Sequence, residues 1–224
     1  MKLNILFEDN QIIVVEKPQN LLSQSDITGD SDLLSIVKEY IKEKYKKPGN
    51  VYIGLVHRLD RPVGGLMLFA RSSKAASRLS LEFREHTFKK SYLAVVHSGS
   101  NNLGYKNLTG QIYKSKENNF SSMEESKDLS KSVELNLEEL EFKDNLTLVK
   151  IYLKTGRSHQ IRVQLSDLGT PIYGDMKYGR MEKGKIALWS YQIEFIHPTL
   201  KNKMSFSLQP PIIFPWTLFP FLNK

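Results

Sequence analysis

Short apolar, β-branched runs arrive in groups along this chain, with three helical patterns between them, and that grouping restricts the fold more than any single motif. Residues 4–7 and 12–15 read as a strand pair around the turn Glu8-Asp9-Asn10. Lys17-Pro18 ends the second strand, because proline cannot donate to a ladder and restricts its predecessor. Asp30 or Ser31 is the expected cap of a helix reaching about Lys46, with Leu33, Leu34, Val37 and Ile41 on one face. Lysines load its last turn, where the helix dipole favours cations, and Pro48-Gly49 stops it. Residues 51–56 and 66–70 read as buried strands around a loop over 57–65. Ser72 or Ser73 caps a second helix to about His86, and residues 91–96 form a strand. Residues 98–130, rich in Ser, Asn, Gly and Lys, read as a loop and hairpin region and as the least ordered part. Residues 133–140 and 146–153 alternate as strands around the turn Lys143-Asp144-Asn145.

Thr155-Gly156-Arg157-Ser158 opens a third helix with Ile161, Leu165 and Leu168 inward, ended by Gly169 and Pro171. Residues 191–196 and 204–208 close the strand set, and the tail from Pro210 to Phe221 is expected to pack as an extended segment on the core. Strands in groups, with neither a regular βαβ alternation nor an all-β pattern, imply an α+β fold with a largely antiparallel sheet. No linker is long enough to separate independent domains.

Composition narrows the chemistry. Cysteine is absent, which excludes disulfides, a cysteine nucleophile and a thiolate zinc site and suits a reducing cytoplasm. No apolar run approaches the ~18 residues that a membrane helix needs, and acidic residues appear too early for a signal peptide. The chain carries 32 Lys+Arg against 24 Asp+Glu, net +8, which favours a polyanionic partner. That charge is concentrated: residues 57–90 hold eight basic and three acidic groups, net +5, whereas residues 121–146 hold three basic and eight acidic, net −5. The acidic stretch is expected to be solvated and to face away from the partner.

Three polar clusters sit at element boundaries, where binding and catalytic residues tend to lie. In His57-Arg58-Leu59-Asp60-Arg61, flanking arginines favour an ionised Asp60 that can act as nucleophile, base or metal ligand. The pair Gly64-Gly65 after it permits close backbone approach. Lys89-Lys90-Ser91-Tyr92 places an aromatic beside cations, the equipment for holding an unstacked base. In 155–162, a glycine before a helix start makes an anion site plausible, and His159 and Arg162 share one helical face. Each cluster alone also fits an ordinary surface ion pair, a half-buried strand residue or a solvated basic face.

Together they resemble something specific. The stretches HRLDRPVGGLMLFAR (57–71), KSYLAVV (90–96) and LKTGRSHQIRVQLSDLGTPIYGDMKYG (153–179) are similar to the motifs of the RluA family of RNA pseudouridine synthases, and ILFEDNQIIVVEKPQNLL (5–22) is similar to its first strand pair and Lys-Pro motif. The resemblance runs from about residue 3 to about 210. It implies that family's fold, a central mixed, largely antiparallel sheet flanked by helices with the active-site cleft across the sheet. It also implies one catalytic domain over 1–224 with no room for an N-terminal RNA-binding module. By the same resemblance Asp60 is the catalytic residue, Tyr92 lies against the target base and helps remove a proton, and Arg162 pairs with Asp60. Arg58 helps occupy the place of the flipped base, and His57, Arg61, Lys90, Arg157, His159 and Gln160 are the further expected RNA contacts. The family uses no cofactor and no metal, and its partner is ribosomal or transfer RNA. The chain is expected to work as a cytoplasmic monomer.

This sequence departs from the family pattern at Asn20, where glycine is usual, at Gly64 in place of Ser, and at Trp189 in place of His. Asn20 can keep the turn, since asparagine tolerates a left-handed backbone. Two other readings of the same residues stay open: a metal-dependent phosphodiesterase built on His57, Asp60 and His159, and an RNA-binding protein without catalysis.

Overall fold

The computed structural model describes residues 3–99, 102–115, 120–123, 130–180, 182 and 184–220. Strands in groups with three helices among the described residues make an α+β architecture, as the grouping of apolar runs predicts. The chain divides into two compact units, Met1–Lys89 with Ser190–Leu208, and Lys90–Trp189 with Gln209–Lys224.

The first unit is built on β1 (Ile5–Glu8), β2 (Ile12–Lys17), α1 (Leu33–Lys44), β3 (Gly54–Leu55), β4 (Gly64–Ala70) and α2 (Ser73–Arg84). Its strand order continues from β1, β2 and β4 to β10 (Leu188–Ile196), which belongs here from Ser190 on, and β11 (Lys203–Ser207). The pairings β1–β2, β2–β4, β3–β4 and β10–β11 are antiparallel. β2 and β4 lack polar alternation because both of their faces are covered: every residue of β4 and Ile12 to Val15 of β2 are buried. Ile12, Val14, Leu66 and Leu68 pack with Ala75 and Leu79 of α2 and with Phe88, Ile193 and Phe195.

Two expectations are corrected in this unit. The first helix is capped by Asp32, which accepts from the Ser35 N–H at 2.9 Å. Asp30, two residues before the cap position, pairs instead with Arg61. The strand expected over 51–56 shrinks to Gly54–Leu55, and Tyr52 is exposed. Ser72 caps α2 as expected, accepting from the Ala75 N–H at 3.1 Å.

The second unit contains β5 (Lys89–His97), β6 (Tyr105–Lys114), β7 (Ser121–Met123), β8 (Lys131–Lys143), β9 (Leu146–Leu153) and α3 (Gln160–Asp167). Its strands run in the order β5-β9-β8-β6-β7, all antiparallel. Asp144 and Asn145 turn β8 into β9 with φ of 53° and 61°, the left-handed pair that a two-residue hairpin demands. β6 is the element that composition concealed. Its residues are mostly polar and its exposure alternates, so its order comes from an eight-residue register against β8, from Tyr105↔Glu138 to Ile112↔Lys131. The region expected to be least ordered, and Glu124, Glu125 and Asp128 of the acidic stretch, lie partly or wholly outside the described residues. Of the tail, Trp216 and Phe219 are buried, but Ile212 to Phe214 are exposed and Trp216–Leu218 is a 3-10 turn rather than extended chain.

Candidate active site

Asp60 belongs to the first unit, in the loop between β3 and β4. Its two neighbours are each held through their backbone. The buried Ser23 hydroxyl donates to the Leu59 carbonyl at 2.7 Å and accepts from the Leu59 N–H at 3.1 Å. The Lys17 ammonium donates to the Arg61 carbonyl at 3.0 Å, and also to the carbonyls of Pro18 at 3.0 Å and Leu21 at 2.6 Å. The Val63 N–H donates to the Asp60 carbonyl at 3.0 Å and closes the turn. Both clamps come from one segment, 17–23, which folds back because Asn20 takes φ 66°. Asparagine thus keeps the left-handed turn where the family uses glycine.

Gly65 anchors the far end of the loop. It lies opposite Lys17 in the β2–β4 register, with φ 115°. A Cβ there would stand 2.4 Å from the Ser190 carbonyl oxygen, so only glycine lets the β10 backbone approach.

Lys17 is 0% exposed, and its neighbours along the chain mark it only as the end of a strand. The signal was present in the quoted Lys-Pro motif, but the three carbonyls that it serves are invisible in sequence. Burial lowers its pKa to about 7, against the pull of the Asp60 charge and with a small push from Arg61. The same lysine in an unfolded chain keeps its proton to about 10.5. Between those values the unfolded state binds more protons, so stability rises with pH from about 7 upward as the penalty of the buried charge is relieved. A urea midpoint that climbs from neutral to alkaline pH in the wild type and stays flatter in Lys17→Met is the expected outcome; parallel profiles would overturn it.

The expected RNA contacts of this unit differ in placement. Arg58 is exposed. Arg61 bonds Asp30 at 2.7 Å on the surface. His57 turns inward: its Nε2 accepts from the Leu68 N–H at 2.9 Å, and its ring packs on Phe83 and Phe88 at 5.6 and 5.8 Å. That acceptor role needs a neutral imidazole with its proton on Nδ1.

In the second unit, Tyr92 is buried in β5 opposite Ile151. Lys90 shares its strand face, two residues before. Its ammonium lies over Gly156, where a Cβ would come within 3.1 Å of Nζ, and burial lowers its pKa to about 8. The turn that follows β9 is held by Gln160, which is 2% exposed. The Gln160 Oε1 accepts from the Thr155 hydroxyl at 2.9 Å and from the Arg157 N–H at 3.1 Å, and Nε2 donates to the Glu134 carbonyl at 3.2 Å. Gln160, expected to face RNA, therefore has its amide engaged inside the protein. Arg157 remains exposed.

α3 begins one residue after His159, which caps it in a left-handed conformation with φ 58°. The shared helical face expected for His159 and Arg162 is thereby corrected. Arg162, only 6% exposed, forks onto Asp175: Nε donates to Oδ2 at 2.8 Å and Nη2 to Oδ1 at 2.7 Å. Oδ1 also accepts from the N–H groups of Lys177 at 2.9 Å and Tyr178 at 3.1 Å. Burial would raise the Asp175 carboxyl, but the guanidinium and the two N–H groups hold it below the usual carboxylate range. Asp175 and Tyr178 lie within the quoted 153–179 stretch, yet nothing local in the sequence separated them from its other polar residues.

Among the described residues, no group of three or more His, Asp or Glu could hold a metal ion, and no helix is long and apolar enough to cross a membrane.

Comparison with known proteins identifies these motifs. An uncharacterized RNA pseudouridine synthase of Mycoplasma pneumoniae is 31% identical over 212 residues, covering 92% of this chain and 66% of that one. Ribosomal large subunit pseudouridine synthase C of Buchnera aphidicola is 30% identical over 210 residues, covering 89% and 65%. The tRNA pseudouridine synthase C of Haemophilus ducreyi is 27% identical over 225 residues, covering 92% and 90%. The chain thus spans just under two thirds of the length of the first curated relatives that it matches. The solved structure of human RNA pseudouridylate synthase domain containing 4 shares the fold, with a TM-score of 0.79 over 96% of this chain and 91% of that one, at 19% identity. The family model described as RNA pseudouridylate synthase matches residues 11–167, a span that holds the clamped Asp60 loop, Tyr92 and the buried Arg162, and the chain belongs to that family.

Proposed function

We propose that this chain is an RNA pseudouridine synthase that isomerises specific uridines of ribosomal or transfer RNA, with Asp60 as the catalytic residue acting on a base turned out of its stack. Family membership supports the activity, and relatives named for the large ribosomal subunit and for tRNA support the two RNA classes. The observation that carries Asp60 is its setting. The backbone on both sides of Asp60 is pinned by the Ser23 hydroxyl and the Lys17 ammonium, so the loop presents its carboxylate from a fixed Cα, which catalysis needs and a surface ion pair does not.

The reaction breaks the N1–C1′ glycosidic bond, rotates uracil and forms a C5–C1′ bond. C5 gives up a proton and N1 gains one, so no atom is added or lost and no oxidant or co-substrate enters the balance. Carbon 5 is out of reach inside a stem, so the base leaves the stack first. Asp60 supplies the charge that acts on the sugar or the base. Tyr92 supplies an aromatic face for the detached uracil. Arg162 joins them as the third catalytic residue, and the exposed Arg58 and Arg157 meet the RNA backbone. The chain does this as a monomer in the cytoplasm.

Tritium release from RNA carrying carbon-5-labelled uridine tests the reading. Wild type is expected to release label from ribosomal or transfer RNA and to be unaffected by chelators; no release from either RNA would sink it. Tyr92→Phe is expected to bind RNA normally and turn over slowly, whereas Tyr92→Ala also loses about 1–3 kcal/mol of base stacking. Single-turnover kinetics separate the two, and full activity in Tyr92→Ala would remove Tyr92 from the site.

A further inference from the structure

One side chain in the second unit joins several elements and has no part in the chemistry above. The Tyr178 hydroxyl accepts from the Ser121 N–H at 2.9 Å and lies 2.7 Å from Nδ1 of His159. Its ring packs on Phe120 at 4.7 Å and lies beneath the Arg162 guanidinium, 5.1 Å from its centroid. Its backbone is fixed as well, donating to Asp175 and accepting from the Ser166 hydroxyl at 2.6 Å. Tyr178 therefore touches both functional candidates of this segment, His159 through its hydroxyl and Arg162 through its ring.

The hydroxyl carries one proton. The 2.7 Å contact to His159 Nδ1 runs in either direction according to the imidazole tautomer, and with the hydroxyl as donor, its oxygen accepting from the Ser121 N–H, the proton goes to Nδ1. Nδ1 is then an acceptor, and the neutral imidazole carries its own proton on Nε2. His159 is also fixed through its backbone, as the left-handed cap of α3.

We infer that Tyr178 is a positioning residue for RNA recognition: its hydroxyl locks His159 in the Nε2–H form, so that this imidazole meets RNA as a hydrogen-bond donor to a phosphate or 2′-hydroxyl oxygen. The donor role rests on the RNA synthase reading; the tautomer lock does not. Removing the hydroxyl frees the tautomer while leaving the ring under Arg162.

Nitrogen NMR of the histidine rings in the free wild-type chain is the first test. The expected spectrum of neutral His159 has an unprotonated Nδ1 and a protonated Nε2, and a protonated Nδ1 overturns the lock. Tyr178→Phe is expected to shift His159 toward a mixture of tautomers and to weaken RNA binding roughly 3- to 10-fold, the worth of one hydrogen bond. Unchanged nitrogen shifts in that variant also overturn the lock. His159→Gln, which keeps an N–H near the Nε2 position, is expected to bind better than His159→Ala; equal affinities refute the donor role. A loss shared by RNA and its all-deoxy counterpart assigns the acceptor to phosphate, and a loss confined to RNA assigns it to the 2′-hydroxyl. A wild-type chain that binds no RNA yet shows the Nε2–H form sinks the functional reading and leaves the lock standing.

Discussion

Asp60→Asn is expected to lower turnover by at least ~10²-fold while leaving the melting temperature and RNA affinity near wild type. The substitution is nearly isosteric and removes only the charge. Neither clamp beside it involves the Asp60 side chain: Ser23 holds the Leu59 backbone and Lys17 holds the Arg61 carbonyl. The loop therefore keeps its shape without the carboxylate. A second readout is independent of RNA. The Asp60 charge raises the Lys17 pKa against burial, so its loss should lower the Lys17 titration further below about 7. Carbon-13 NMR at the lysine Cε would follow that shift. Turnover within about tenfold of wild type would remove Asp60 from the chemistry. An unmoved Lys17 titration would remove the electrostatic link between them.

Arg162→Met carries the largest expected cost in stability. It breaks a bidentate pair in which Arg162 is 6% and Asp175 1% exposed, and strands a buried carboxylate with only the Lys177 and Tyr178 N–H groups. Removing one partner of such a pair costs roughly 3–5 kcal/mol, a fall in melting temperature on the order of 10 °C for a chain of this size. Arg180→Met, at an exposed position, is the control and is expected to stay within about 0.5 kcal/mol. The pH dependence is distinct. The folded Asp175 carboxyl is depressed, so its contribution is complete above the unfolded value of 3.8 and is lost as pH falls through the lower folded value. Arg162→Met should therefore flatten the acid limb of the stability profile. Equal melting of the Arg162 and Arg180 variants, or an unchanged acid limb, would refute the role of the pair.

The partner that the second unit gives Arg162 is Asp175, thirteen residues further along the chain. Gln160 and His57 show the same gap between residue type and placement. Donor-rich polar residues inside a motif suggest contact with a ligand, yet Gln160 bonds the turn at 155–157 and His57 receives the Leu68 N–H. Residue type states what a side chain can bond, and only the fold supplies what arrives to be bonded.

By itself the sequence determined what depends on neighbours along the chain. Continuous apolar runs marked β2 and β4, because a strand covered on both faces has no polar alternation. Asn20 and Gly65 were legible as backbone positions, since a left-handed turn and a close approach admit few residues. Asp144-Asn145 was legible as a turn for the same reason. The motifs themselves, in order and spacing, carried the family. Tertiary structure alone decided the rest. β6 exists as a strand because β8 lies beside it. Lys17 serves a carbonyl 44 residues away, Ser23 clamps a peptide 36 residues away, and Tyr178 reaches a backbone 57 residues away. Buried polar groups must find partners, but several distant partners satisfy the same donor equally well on paper, and it is the packing of the apolar runs that selects which of them comes within 3 Å.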